Sequence, residues 1–239
     1  MSDHLKIRVA KDAGFCFGVR DAIEKAREVA QEHGKVYMLG DIVHNERVVK
    51  DLAQENVKVV DSLAEVKNAP VLFRAHGTIP ELWVEAGRKD LTIVDATCPL
   101  VHEIHDEIKK LDVEGRKLII IGDHGHDEVV AIRAQVTEAI IIASIAEAEA
   151  LPRMKKAGVV SQSTQMIENV QEIIGILSMK IFDLRFVNTV CFPTRRNQGQ
   201  IKEIAPISDV MIIVGSFTSA NTKRLHEVSL SLNPRSYMV

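Results

Sequence analysis

Three cysteines, Cys16, Cys98 and Cys191, each close an extended segment of the same kind: DAGFC, DATC and NTVC. Three thiolates brought to one point can hold a metal centre and leave a coordination position open for a substrate. Two chemistries fit that description. A four-iron cluster normally takes four cysteines, so three would leave one iron free. A zinc site with three cysteine ligands would likewise keep its fourth position open. A solitary cysteine is most often a small buried hydrophobe, but three at matching places form a pattern of a different kind. The odd count and the absence of a secretory leader argue against structural disulfides.

The cysteines also set a register for the residues downstream. A glycine lies 24 residues after each: Gly40, Gly122 and Gly215. A polar residue lies 28 residues after (His44, His126, Ser219) and another 30 after (Glu46, Glu128, Asn221). His76, in RAHGT, also comes after an apolar strand. Imidazole, hydroxyl and amide groups are donors suited to phosphate oxygens. A carboxyl group beside negative charge resists ionisation and can deliver a proton. Glu128 and Glu46 hold equivalent positions for that task, and spacing alone does not separate them. Ser163 and Thr164, in SQST, offer hydroxyls to relay a proton or to bind a substrate hydroxyl, although loop hydroxyls more often bond turn backbone. His4, His33, His102, His105, His124 and His226 lack the support of the repeat. His102 and His105 are expected on the polar side of a helix, and His124 as a bystander. GFCFG (14–18) and VGSFTSAN (214–221) precede helices and are weak phosphate-cradle signals. Neither is a dinucleotide or Walker-type glycine motif.

Strands and helices must carry these groups. Apolar β-type runs occur at KIRVA (6–10), KVYMLG (35–40), APVLFRA (69–75), LTIVDA (91–96), KLIIIG (117–122), GVVSQ (158–162) and VMIIVG (210–215). Helical periodicity lies between them at 19–33, 101–111 and 165–179. This alternation predicts an α/β fold with parallel sheets covered by helices. The constant offsets predict three α/β units, 14–97, 98–190 and 191–239, around a pseudo-threefold axis, each directing one cysteine and one polar loop to a shared centre. The third unit is short and has no counterpart to RAHG or SQST. It is expected to be incomplete, with the 1–13 segment supplying one of its strands.

The net charge of −3 leaves no global basic field to draw the chain to nucleic acid or a membrane surface. No apolar run approaches the ~20 residues that span a bilayer. The expected address is the cytoplasm, with neither nucleic acid nor membrane as a partner.

GFCFGVRDAIEKA, LGDIVHNERVV, RAHGT, VDATCPLVHEIH, GHDEV, SQST, NTVC and GSFTSANTKRL, in that order, resemble the LytB family of 4-hydroxy-3-methylbut-2-enyl diphosphate reductases from about residue 6 onward. The resemblance implies a cloverleaf of three α/β units around a [4Fe–4S] cluster with an open iron site, ligated by Cys16, Cys98 and Cys191. It implies a two-electron, two-proton removal of the substrate hydroxyl that yields isopentenyl and dimethylallyl diphosphate in the non-mevalonate pathway. Ferredoxin or flavodoxin is the implied electron donor. His44, His76, His126, Ser219 and Asn221 are implied diphosphate ligands, with Ser163 retaining the hydroxyl of the family's usual threonine. Glu128 is the implied proton donor, which separates it from Glu46. The chain departs from the family's usual pattern at Asp127 (usually Pro), Ala220 (usually Ser or Gly) and Asn197 (usually Arg). The family also continues through a further serine-bearing loop, so the resemblance implies a C-terminally truncated member.

Overall fold

In the computed structural model, residues 5–239 are described, and His4 lies outside them. The elements run α1 Phe17–His33, β1 Val36–Leu39, α2 Glu46–Gln54, β2 Val57–Val60, β3 Val71–Phe73, α3 Pro80–Arg88 and β4 Ile93–Asp95. They continue as α4 Pro99–Val113, β5 Lys117–Ile121, α5 Asp127–Arg133, β6 Ile140–Ile142, α6 Ile145–Ala150, β7 Met154–Ser161, α7 Ile167–Lys180 and β8 Ile181–Phe186. The last are α8 Phe192–Ile204, β9 Met211–Ile213, α9 Ala220–Leu232 and β10 Ser236–Met238. These form three parallel sheets, ordered β2-β1-β3-β4, β6-β5-β7-β8 and β10-β9. The first two have the same topology: the strand after the cysteine-led helix lies inside the sheet, flanked by the next two strands.

Period-2 alternation divides each large sheet between two cores. Val36 and Met38 pack with α1 and α2, whereas Tyr37 and Leu39 pack on the face covered by α3. In the second sheet Leu118 and Ile120 face α4 and α5, and Ile119 and Ile121 face α7. Strands apolar on both sides require helices on both sides, as the continuous runs VYML and LIII predict. The third sheet has one core, built by Ile201, Ala205, Met211, Ile213 and Val228.

All three cysteines are helix N-caps, of α1, α4 and α8. Pro99 and Pro193 stand in the first turns of α4 and α8, where a missing N–H costs nothing. The glycines 24 residues on leave room for their neighbours, and Gly40 also has a left-handed backbone at φ +68. A Cβ would come within 2.9 Å of Arg74 Nη1 at Gly40, 2.5 Å of Val129 Cγ2 at Gly122 and 2.4 Å of Thr222 Oγ1 at Gly215.

One expectation fails. KIRVA forms no strand: residues 5–10 are irregular, and Leu5, Ile7 and Val9 are 88%, 78% and 73% exposed. Alternating apolar residues mark a strand only where a sheet edge pairs with them, and among the described residues β9 pairs with β10 alone.

Candidate functional site

The three thiols are free and partly exposed. Each lies at the positive end of a helix, which favours a thiolate or another anion there. None of these helices has an acidic residue in its first turn, unlike α2, α3, α5, α6 and α7. Cys98 Sγ packs against Gly18 of α1, where a Cβ would come within 2.5 Å. Burial pushes the Cys98 thiol up to about 11, and the neighbouring Cys16 and Cys191 push the same way. Burial also raises Cys191, against a 3.1 Å bond to Thr194 Oγ1. Cys98 and Cys191 thus feel the charge of the neighbouring cysteines. Yet among the described residues no three His, Cys, Asp or Glu side chains gather tightly enough to hold a single metal ion. The backbone ties each later cysteine to the loop before it: Cys98 N donates to Ala75 O, and Cys191 N to Ser163 O, both at 3.0 Å.

His44, His76 and His126 come together. The His44 and His76 rings stack at 4.2 Å, and His126 meets them edge-on at 5.3 and 5.9 Å. His44 Nε2 and His76 Nδ1 are buried without a hydrogen-bond partner, an arrangement that costs free energy unless a ligand supplies one. His126 Nδ1 accepts from Glu128 N at 3.2 Å, which leaves Nε2 as its free N–H donor. Burial holds His44 and His126 below the usual imidazole range, and His76 well below it.

Glu128 is 1% exposed. It accepts from Ser163 N at 2.6 Å and from Ser163 Oγ at 2.8 Å. Burial raises its carboxyl pKa despite both bonds. Ser163 therefore bonds Glu128 by its side chain and amide and the backbone N–H of Cys191 by its carbonyl, tying the buried carboxyl to the segment that starts α8. Thr164 Oγ1 accepts from Gln162 Nε2 within the loop. Glu46 has a contrasting environment: Ser216 and Thr218 hydroxyls hold its exposed carboxylate below the usual range. The repeat left these two carboxyls equal, and their surroundings separate them.

The third unit brings Ser219 and Asn221 to the first turn of α9. Ser219 caps that helix, accepting from Thr222 N at 3.3 Å. Lys223, in the same turn, is near enough for its charge to be felt at His44.

Polar bridges cross every seam between units. Arg74 pairs with Asp127, Arg224 with Asp123, and Glu46 with Thr218. The repeat pattern did not find the first two, although Arg74 and Asp127 are near neighbours of His76 and His126. His105 also departs from expectation. It is 6% exposed, burial lowers it to about 4, and it packs under Gly77 of the RAHG loop. His102 is exposed and bonds Asp95 at 2.9 Å. His124 bonds Glu147 at the surface, away from the imidazole cluster.

Comparison with known proteins gives a consistent result. The LytB protein family matches residues 7–239. The 4-hydroxy-3-methylbut-2-enyl diphosphate reductase of Geobacter metallireducens is 39% identical over 98% of this chain and 84% of its own length. That of Trichlorobacter lovleyi is 37% identical with the same coverage. Among solved structures, the E-1-hydroxy-2-methyl-but-2-enyl-4-diphosphate reductase of Plasmodium falciparum superposes with a TM-score of 0.92 at 28% identity, over 96% of this chain and 74% of that one. A second, a (E)-4-hydroxy-3-methyl-but-2-enyl diphosphate reductase described as the terminal enzyme of the non-mevalonate pathway, gives 0.72 at 36% identity, over 97% and 84%.

Proposed function

The chain belongs to the LytB family, and from that premise we propose that it is a 4-hydroxy-3-methylbut-2-enyl diphosphate reductase whose site is built from 14–97, 98–190 and 191–239 as three units. It removes the substrate hydroxyl as water, using two electrons and two protons, and forms isopentenyl and dimethylallyl diphosphate. The observation that carries this reading is the imidazole cluster with unpartnered nitrogens, beside a buried carboxyl that is joined through Ser163 to Cys191.

A [4Fe–4S] cluster on Cys16, Cys98 and Cys191 would supply the electrons. The residues fit such a group. Three free thiols from three units sit on three helix N-termini, and Cys98 and Cys191 feel the charge of the other cysteines.

His44, His76 and His126 bind the diphosphate with N–H donors, joined by Ser219 and Asn221 from the third unit. Buried imidazoles gain charge as the anion arrives, since its negative charge favours imidazolium. Glu128 is the proton donor: burial keeps its proton on more readily than on an exposed carboxyl. Ser163 orients Glu128 and offers its hydroxyl to the substrate or to the transferred proton. By the family resemblance, ferredoxin or flavodoxin is the proposed electron donor. No helix among the described residues is long and apolar enough to cross a membrane. A cytoplasmic location remains part of the proposal.

Anaerobic reconstitution with iron and sulfide, followed by turnover with a chemical reductant, tests the reading. Absorbance near 400 nm and formation of both diphosphate products are expected. A colourless protein that binds zinc tightly and releases neither product would overturn it.

A further inference from the structure

The loops carrying His44, His76 and His126 come from two units, and one ion pair joins them where they meet. Arg74, two residues before His76, donates from Nη1 to Asp127 Oδ2 at 2.8 Å and from Nη2 to Oδ1 at 3.0 Å. Asp127 directly follows His126. The guanidinium occupies space left by Gly40, four residues before His44 and in a left-handed backbone conformation at φ +68. All three histidine loops therefore converge on this pair. Its side chains are 28% and 32% exposed, and the contact is a two-pronged fork, which fixes relative orientation as a single surface contact does not.

The imidazoles themselves have no hydrogen bonds to one another, so their spacing depends on how the two units are joined. Asp127 Oδ2 lies 3.8 Å from His44 Nε2, too far for a hydrogen bond, and leaves that nitrogen open. Building on the diphosphate reading of the imidazole cluster, we propose that Arg74 and Asp127 are a positioning pair, clamping the first unit to the second so that His44 and His76 stand against His126 at the spacing a diphosphate requires. Asp127 is also at the first position of α5, where the helix end favours its charge. Its carboxylate balances Arg74 beside the imidazoles and is itself neutralised, so it presents little repulsion to an incoming anion.

The test is calorimetric titration of inorganic diphosphate into the reconstituted 239-residue chain, with thermal unfolding recorded alongside. Asp127→Asn and Arg74→Lys should each weaken binding about tenfold, and the double variant should be little weaker than the worse single one. Asp127→Glu should recover part of the loss. Arg74→Lys keeps the charge but loses the fork, so it also serves if Asp127→Asn does not fold. A pair that only stabilises the fold would lower the melting temperature and leave affinity unchanged, which overturns the proposal. Tighter binding by Asp127→Asn would overturn it as well, because Asp127 would then be withholding Arg74 from the anion. If the unaltered chain does not bind inorganic diphosphate, the diphosphate reading falls, and this inference with it.

Discussion

The first two units and the third carry the same functional offsets on different amounts of protein. Units one and two each have a four-stranded sheet with an apolar core on both faces. The third has two strands and one core, and its other face leaves Ile212 and Val214 52% and 81% exposed. All three keep the cysteine cap, the glycine and the polar loop. The residues at constant offsets therefore lie in the first half of the repeat, a helix and one strand, while its second half builds core and carries residues outside the period. The second halves of units one and two add what the third does not, the His76 loop and the Ser163 loop. Of the proposed diphosphate ligands, the imidazoles thus come from the first two units, and a hydroxyl and an amide from the third.

The comparison is broken most directly at the cysteines. If the first half of each repeat is equally necessary, Cys191→Ser should abolish cluster binding as fully as Cys16→Ser or Cys98→Ser, since the sequence has no fourth thiol. Iron content and absorbance near 400 nm measure this. A full iron complement in Cys191→Ser would show the slim third unit to be dispensable.

Glu128 and Glu46 come next, as equivalent positions in opposite surroundings. Glu128→Gln should lower turnover by ~10²–10⁴, the range for a general acid, with substrate still bound. Glu46→Gln should cost far less, because that carboxylate only joins two units. Equal losses in kcat would remove the distinction drawn from burial.

Core truncation weighs two-sided against one-sided packing. Phe73→Ala, in a fully buried strand of the first unit, should destabilise by about 3–5 kcal/mol. Ile213→Ala in the thinner third core should cost less, about 2 kcal/mol, since its surroundings can collapse and admit water. Chemical denaturation of both variants gives the two values.

The smallest expected effect concerns pH. Burial holds the three imidazoles below their ordinary value in the free protein, and a bound diphosphate would raise them. Binding then takes up protons between the free and bound values, so affinity falls as pH rises from the lowered free value towards the bound one. The limit is about tenfold per pH unit for each proton taken up. Comparing the unaltered chain with His126→Asn cancels the titration of the ligand itself. Asn221→Ala should weaken binding equally at every pH, and a pH-dependent loss there would contradict the division of donors between units.

What was legible in the sequence is what lies within one continuous strand–helix stretch. The cysteine, glycine and polar positions keep fixed offsets because one helix and one strand of fixed length separate them. Burial on both faces was likewise readable from VYML and LIII. The seams were not, since Arg74–Asp127 and Asp123–Arg224 pair residues 53 and 101 positions apart without any period. KIRVA misled because alternation reports a strand's face and not whether an edge awaits it. His105 misled because its helix is packed on more than one side, and the RAHG loop covers a face that looked polar.

The backbone bonds from Cys98 to Ala75 and from Cys191 to Ser163 have a consequence for biosynthesis. Each unit's loop is finished only when the next unit's first residue arrives, so the nascent chain assembles its centre in stages. Cys191 is 93 residues behind Cys98. At about 5–20 residues per second, the ribosome takes on the order of 5–20 s to add it. Through that interval two thiols are made and the third is not. For the proposed cluster, two of the three ligands would exist before Cys191 is added, so complete loading would await synthesis of the third unit.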